Sequence, residues 1–207
     1  QMDGSVLCLK GAKQSAEVTV PECIREVWPR MLDHVDEDEA AAPKRELPAK
    51  WTFDDKPGGH LKLDGDTVFQ GGVQGSLDTF TLTMQIRPEA LPKDRAALLH
   101  TDGWNRGGLH VVLLPGAQVR CTVNGAKPYW QTGKGAAPAK KRTHLAIVYD
   151  GKNRRGRIYI NGNPSVDSKL RQTCPVDLNS FRLGSWDGQG GSRFYHGLID
   201  DVQIHRE

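Results

Sequence analysis

The chain ends in FYHGLIDDVQIHRE, residues 194–207, where two adjacent carboxylates, Asp200 and Asp201, interrupt an apolar run of Leu198, Ile199, Val202 and Ile204. Paired carboxylates can carry acid/base chemistry or hold a cation. On a β-strand, however, successive side chains project to opposite faces, so two neighbours cannot converge on one bond. Regular alternation places Asp200 with Leu198, Val202 and Ile204 on the expected core side, and Ile199 and Asp201 on the other. A carboxylate on the core side needs a partner, either an ion or a backbone N–H. The densest acid run, Asp33 to Glu39, falls at the end of an expected helix and in a charged linker, where acids are solvated.

Other catalytic schemes find no support in spacing. Nothing resembles a nucleophile elbow, and His144, inside THLAIVYD, reads as a hydrogen-bonded structural histidine. The glycine-rich GWNRGG and DGQGGS lack the strand-to-helix context of a phosphate-cradling loop. Ligand chemistry rests instead on aromatics beside glycines and turns: Trp104 with Asn105 and Arg106, Tyr129 with Trp130, and Trp186 with Asp187. Sugar rings stack their C–H faces on exposed indoles while amides and charged groups take the hydroxyls. The competing role for each of these rings is core packing. A basic cluster, Lys140, Lys141 and Arg142 with Arg154, Arg155 and Arg157, suits either an acidic polysaccharide or a solvated edge guarded against pairing.

The elements that must position these residues are short strands. TFTLTMQIRPEAL alternates Phe80, Leu82, Met84 and Ile86 against Thr81, Thr83, Gln85 and Arg87, the pattern of a half-buried strand. HLKLDG, RAALLHTD, GGLHVVLLPG, AQVRCTVNG, THLAIVYDG, RGRIYINGN and FRLGSWDG read as further strands separated by Gly-rich or Asn-Gly turns. Upstream, SVLCLKG and AEVTVPE read as two short strands. PECIREVWPRMLDHVD then spaces Ile24, Val27, Trp28, Met31, Leu32 and Val35 as one helical stripe, with Pro29 expected to kink it. Residues 37–50 form a charged linker, and the texture changes at Trp51. The expectation is an all-β, antiparallel two-sheet sandwich over 51–207, with a strand and helix extension over 1–50 that could complete it.

Four motifs in order resemble the laminin-G-like jelly roll of the concanavalin A-like lectin/glucanase superfamily. FTLTMQIRPEAL is similar to an early core strand, with Gln85 where that family usually has Trp. RTHLAIVYDGKNRRGRIYINGN is similar to its most recognisable block, with Thr143 in place of Trp. FRLGSW followed by FYHGLIDDVQIHRE resembles its closing strands. The enzymes of this superfold set acids as E-x-D-x-x-E on one strand, so that two carboxylates face one bond. That spacing is absent here, so the resemblance implies a non-catalytic binding module for carbohydrate or a protein partner. The alternatives are an adhesion spacer without a small-molecule site, or a divergent glycan-active enzyme. The resemblance also raises a structural calcium ion, held by Asp200 with Asp54 of WTFDD, against a backbone role for the same acids.

Totals narrow the class. Of 207 residues, 37% are hydrophobic and 26% charged, which suits a globular chain rich in turns. A net charge of +3 is small for a nucleic-acid binder, and no apolar run is long enough to span a membrane. The expected partners are therefore a glycan or an extracellular or envelope protein, in a secreted, periplasmic or cell-surface setting. Gln1 before Met2 suggests a larger protein. The four cysteines lack zinc spacing. Either Cys8–Cys23 and Cys121–Cys174 pair, or all four are thiols.

Overall fold

The computed structural model describes residues 7–9, 61–64, 69–101, 103–186 and 193–206. The expected helix, the strand over AEVTVPE, the linker, Cys23, Asp54 and Asp187 lie outside them. The described residues are all-β, in fifteen strands. In chain order these are β1 (Leu7–Leu9), β2 (Leu61–Asp64), β3 (Phe69–Gly71), β4 (Ser76–Leu77) and β5 (Thr79–Pro88). Next come β6 (Ala96–Thr101), β7 (Leu109–Leu113), β8 (Val119–Val123), β9 (Trp130–Gln131) and β10 (Thr143–Asp150). The last are β11 (Arg155–Ile160), β12 (Asn163–Lys169), β13 (Val176–Asp177), β14 (Phe181–Leu183) and β15 (His196–Arg206).

They form the expected antiparallel jelly-roll sandwich. One sheet runs β1-β15-β5-β10-β11-β12, with β2 also on β15, and the other runs β3-β14-β6-β7-β8-β9. A small ribbon, β4 with β13, stands apart. The alternation in β5 does what it predicts: Phe80, Leu82, Met84 and Ile86 are buried while Thr81, Thr83, Gln85 and Arg87 are only partly so. β5 pairs β10 in an unbroken register from Thr143–Ile86 to Asp150–Thr79. The Asn161-Gly162 turn joins β11 to β12 with positive φ at both residues, as such a dipeptide favours. Strands β3, β4, β9, β12 and β13 carry too few alternating apolar residues to stand out in the sequence.

The closing strand departs from simple alternation. In its pairing with β5, Asp200 opposes Gln85 but Gln203 opposes Thr83, so β15 holds one residue more than its partner. This is a β-bulge, with Asp201 at φ 50. The extra residue reverses the parity across it. Ile199 therefore joins Val202 and Ile204 in the core, and Leu198 and Asp200 do not, which corrects the expectation from regular alternation. The two halves of β15 also take different neighbours on one edge: β2 beside residues 196–199 and β1 beside 202–204.

Trp130 is core rather than ligand platform, at 2% exposure. Its indole stacks with Tyr149 at 6.1 Å and lies against Gly156 of the opposite sheet, where an added Cβ would meet the ring at 2.7 Å. Tyr149 is itself buried, and its hydroxyl donates to the Cys174 carbonyl at 2.7 Å and accepts from the Cys174 N–H at 3.0 Å. The Cys121–Cys174 pairing is not formed: both are buried free thiols. Cys121 points into the core from β8, and burial pushes its thiol pKa well up. The Cys174 thiol instead donates to the Asn124 carbonyl at 3.2 Å, roughly 10 Å further along that strand, beyond disulfide reach.

Tyr149→Phe removes one hydroxyl and strands both backbone groups of Cys174. The expected loss is about 1–3 kcal/mol, seen as a fall of several degrees in Tm. An unchanged Tm would show that the clamp is dispensable.

Candidate functional site

The face of the six-stranded sheet turned away from the core is where the predicted loops converge. Leu109, Val111 and Leu113 of β7 enter the core, so His110 and Val112 project outward. By register the outward positions of neighbouring strands are Arg182 on β14, His100 on β6, and Thr122 and Arg120 on β8. His100 and His110 are a cross-strand pair whose rings stack at 3.9 Å with planes 10° apart.

The two indoles close over this pair. Trp186, just past β14, lies 4.0 Å from His100 and 5.3 Å from His110. Trp104, from the β6–β7 loop, meets His110 edge-on at 4.7 Å and Trp186 at 5.6 Å. Both histidines are 2% exposed, whereas Trp104 is 65% exposed. The imidazoles are thus a buried floor and Trp104 the accessible ring. Asn105 and Arg106 are exposed in the same loop. Its far end is pinned by Gly107, whose N–H donates to Asn124 and whose carbonyl accepts from Asp177. Gly107 has φ 92, and a Cβ there would meet the Pro175 carbonyl at 2.8 Å, so the pinning needs glycine.

Tyr129, 54% exposed, lies elsewhere on the same face beneath the Arg120 guanidinium, 4.5 Å from its ring centroid. Arg193 stacks in the same way at 4.5 Å over Trp186. Hence Trp104, Tyr129 and Trp186 share one face, with Asn105 exposed in the Trp104 loop; Arg106 lays its stem against Gly125 beside Cys174, Trp130 leaves the face for the core, and Asp187 lies outside the described residues. His100, His110, Arg120 and Arg193 were missed by sequence reasoning. The detectable signal was a histidine at the outward position of two successive apolar strands, in LLHT and GLHVV.

The remaining candidates lie apart from this face. Arg155 and Arg157 of the basic cluster both reach Asp167, at 3.1 and 3.6 Å, on the opposite sheet. Asp200 accepts the Asp201 N–H at 2.8 Å, and Asp201 accepts from Gln203 at 2.7 Å, so both acids serve the bulge. Among the described residues no group of three or more His, Cys, Asp or Glu is placed to hold a metal.

Burial holds His110 below its ordinary pKa, partly offset by the bond its Nε2 donates to the Gly103 carbonyl at 3.2 Å. That bond leaves Nδ1 as the unprotonated nitrogen, without a hydrogen-bond partner among the described residues.

A family described as the concanavalin A-like lectin/glucanases superfamily matches residues 58–207. No curated protein sequence matches the chain. Among solved structures, domain 4 of AbnA, a GH43 extracellular arabinanase from Geobacillus stearothermophilus in complex with arabinotriose, aligns with a TM-score of 0.57 at 20% identity, over 76% of each chain. The Ruminococcus gnavus IT-sialidase CBM40 bound to alpha2,3 sialyllactose aligns at 0.53 and 14% identity, over 64% of this chain and 77% of that one. A botulinum neurotoxin serotype D binding domain aligns at 0.63 and 10% identity, over 78% of this chain and 42% of that one. At these identities the likeness is one of fold.

Two outcomes test the site's electrostatics. A lowered folded-state pKa means the unfolded chain takes the proton first, so the stability owed to neutral His110 is intact above the ordinary histidine value of 6.5 and lost as pH falls below it. Tm should decline as pH falls below about 6.5, and His110→Gln should flatten that slope; an equal slope in both proteins would refute the assignment. Asp200→Ala should cost about 1 kcal/mol equally with calcium or with chelator. A loss confined to calcium-containing buffer would place an ion there.

Proposed function

The chain belongs to the concanavalin A-like lectin/glucanases superfamily, and we propose that it is a non-catalytic module recognising carbohydrate through Trp104 and Trp186. The observation that carries this reading is the exposed Trp104 ring set 5.6 Å from Trp186 over a buried imidazole pair. An indole held rigid by packing keeps its face open to a sugar ring without ordering a flexible side chain on binding. Asn105 and Arg106, exposed beside it, supply donors for sugar hydroxyls. Arabinotriose and sialyllactose in the complexes of two structural neighbours support a saccharide as ligand over a protein partner.

The composition of the face supports a non-catalytic role. Glycoside hydrolysis needs two carboxylates across one bond, and strands β3, β6, β7, β8, β9 and β14 contain no Asp or Glu. A glycan ligand places the module where such polymers are met, in a secreted, periplasmic or cell-surface protein of which this chain is one part.

Glycan-array screening followed by calorimetry tests the proposal. Trp104→Ala should lower affinity for the bound glycan at least about tenfold, which is about 1.4 kcal/mol, while Tm stays unchanged because the ring is exposed. Wild-type affinity in that variant, or no glycan bound across a broad array, would refute it.

A further inference from the structure

The charge on the aromatic face points to a narrower ligand class. The chain as a whole is close to balanced, with 28 Lys and Arg against 25 Asp and Glu. The two sheets differ in their acids: strands of the seven-stranded sheet carry Asp64, Asp150, Asp167, Asp200 and Asp201 beside six Lys and Arg, while those of the six-stranded sheet carry no acid and two arginines, Arg120 and Arg182.

Arg120 and Arg193 make the case specific. Each guanidinium lies 4.5 Å from an aromatic centroid, Tyr129 and Trp186 respectively, and neither has a carboxylate partner among the described residues. Arg120 Nε donates to Gln131 Oε1 at 2.7 Å, which fixes the plane of the group and leaves its two Nη nitrogens without a protein acceptor there. Three arginines away from this face are ion-paired instead: Arg155 and Arg157 share Asp167, and Arg95 meets Asp94. An arginine oriented by stacking rather than by a counter-ion keeps its planar donor edge for a carboxylate or sulfate.

The two groups are also aligned. Ala97 N–H donates to the Arg193 carbonyl, Ala97 pairs Val112, and Val112 pairs Arg120, so all four lie in one row across the sheet. Three inter-strand steps of about 4.8 Å separate the backbones of the arginines by roughly 14 Å. Ala97 and Val112, buried but outside the core cluster, make a low floor between them.

We infer that the ligand of this face is an anionic oligosaccharide, with acidic groups taken by Arg193 and Arg120 and a sugar ring on Trp104. This rests on the carbohydrate reading above and adds the ligand's charge and minimum length. Backbones about 14 Å apart suit a chain of several sugars better than a single one.

The test titrates the protein with oligogalacturonate, a chondroitin sulfate oligosaccharide and a neutral arabino-oligosaccharide of similar length. At least one acidic ligand should bind about tenfold or more tightly than the neutral one, and that advantage should shrink as ionic strength rises from about 0.05 to about 0.5 M. Arg120→Gln and Arg193→Gln should each lower affinity for the acidic ligand about tenfold and lower affinity for the neutral one by clearly less. Should Arg193→Gln unsettle Trp186 and fail to fold, Arg120→Gln carries the same comparison. Preference for the galacturonate or for the sulfated chain identifies the anion, and either supports the inference. Neutral ligand bound as tightly as acidic, and lost in Trp104→Ala, overturns the inference and leaves the carbohydrate reading standing. No saccharide bound at all removes both.

Discussion

The hydroxyl of Tyr149 links the core of this sandwich to its aromatic face. Buried on β10, it is at once donor to the carbonyl and acceptor of the N–H of Cys174. The same residue's thiol donates to Asn124, and the Asn124 carbonyl accepts the N–H of Gly107. A chain of hydrogen bonds thus runs from the centre of one sheet to the loop that presents Trp104 above the other. Buried polar groups of this kind are costly to leave unmatched, so the position of an exposed ring is set by bonds made out of reach of solvent. Trp130 and Gly156 add the packing counterpart, with an indole from one sheet resting against bare backbone of the other.

The consequence is a division of labour between the two outer faces. The seven-stranded sheet keeps its acids and uses them structurally: Asp167 takes two arginines, Asp150 accepts from Asn153 within a turn, and Asp200 and Asp201 hold the bulge. The six-stranded sheet carries aromatic rings, stacked imidazoles and arginines with no carboxylate among its strands. The carboxylates of the described strands are thus gathered on one sheet and the stacked rings on the other. One fold serves many activities, so this distribution of side chains says more about function than the sandwich itself.

Much of the fold was legible because β5 and β10 follow period-two alternation and turn dipeptides such as Asn161-Gly162 separate strands. Short strands such as β4 and β9 were not, because two residues carry no periodicity. The loop aromatics were legible as a set, yet Trp104 and Trp130 look alike in sequence: each is a tryptophan near a glycine or proline. Their exposures of 65% and 2% follow from which side of a strand or loop they leave, a matter of register. The histidine pair was illegible for a related reason. His100 and His110 become stacking partners only because β6 and β7 align them across one inter-strand step.

The same limit explains the acid pair of the last strand. From its residues alone the sequence determined that FYHGLIDDVQIHRE holds a strand and that the chain is an all-β jelly roll, whereas its expectation that the two acids point to opposite faces fails at the bulge, which leaves both outside the core. Those conclusions need only local chemistry, namely side-chain alternation, turn preference and the order of motifs. Which residues face the core was settled by pairing with β5, where one added residue at Asp200–Asp201 reverses parity and brings in Ile199 in place of Leu198. The aromatic face was likewise settled between strands, since register and sheet order are properties of partners distant in sequence, and no local pattern encodes which strand lies beside which.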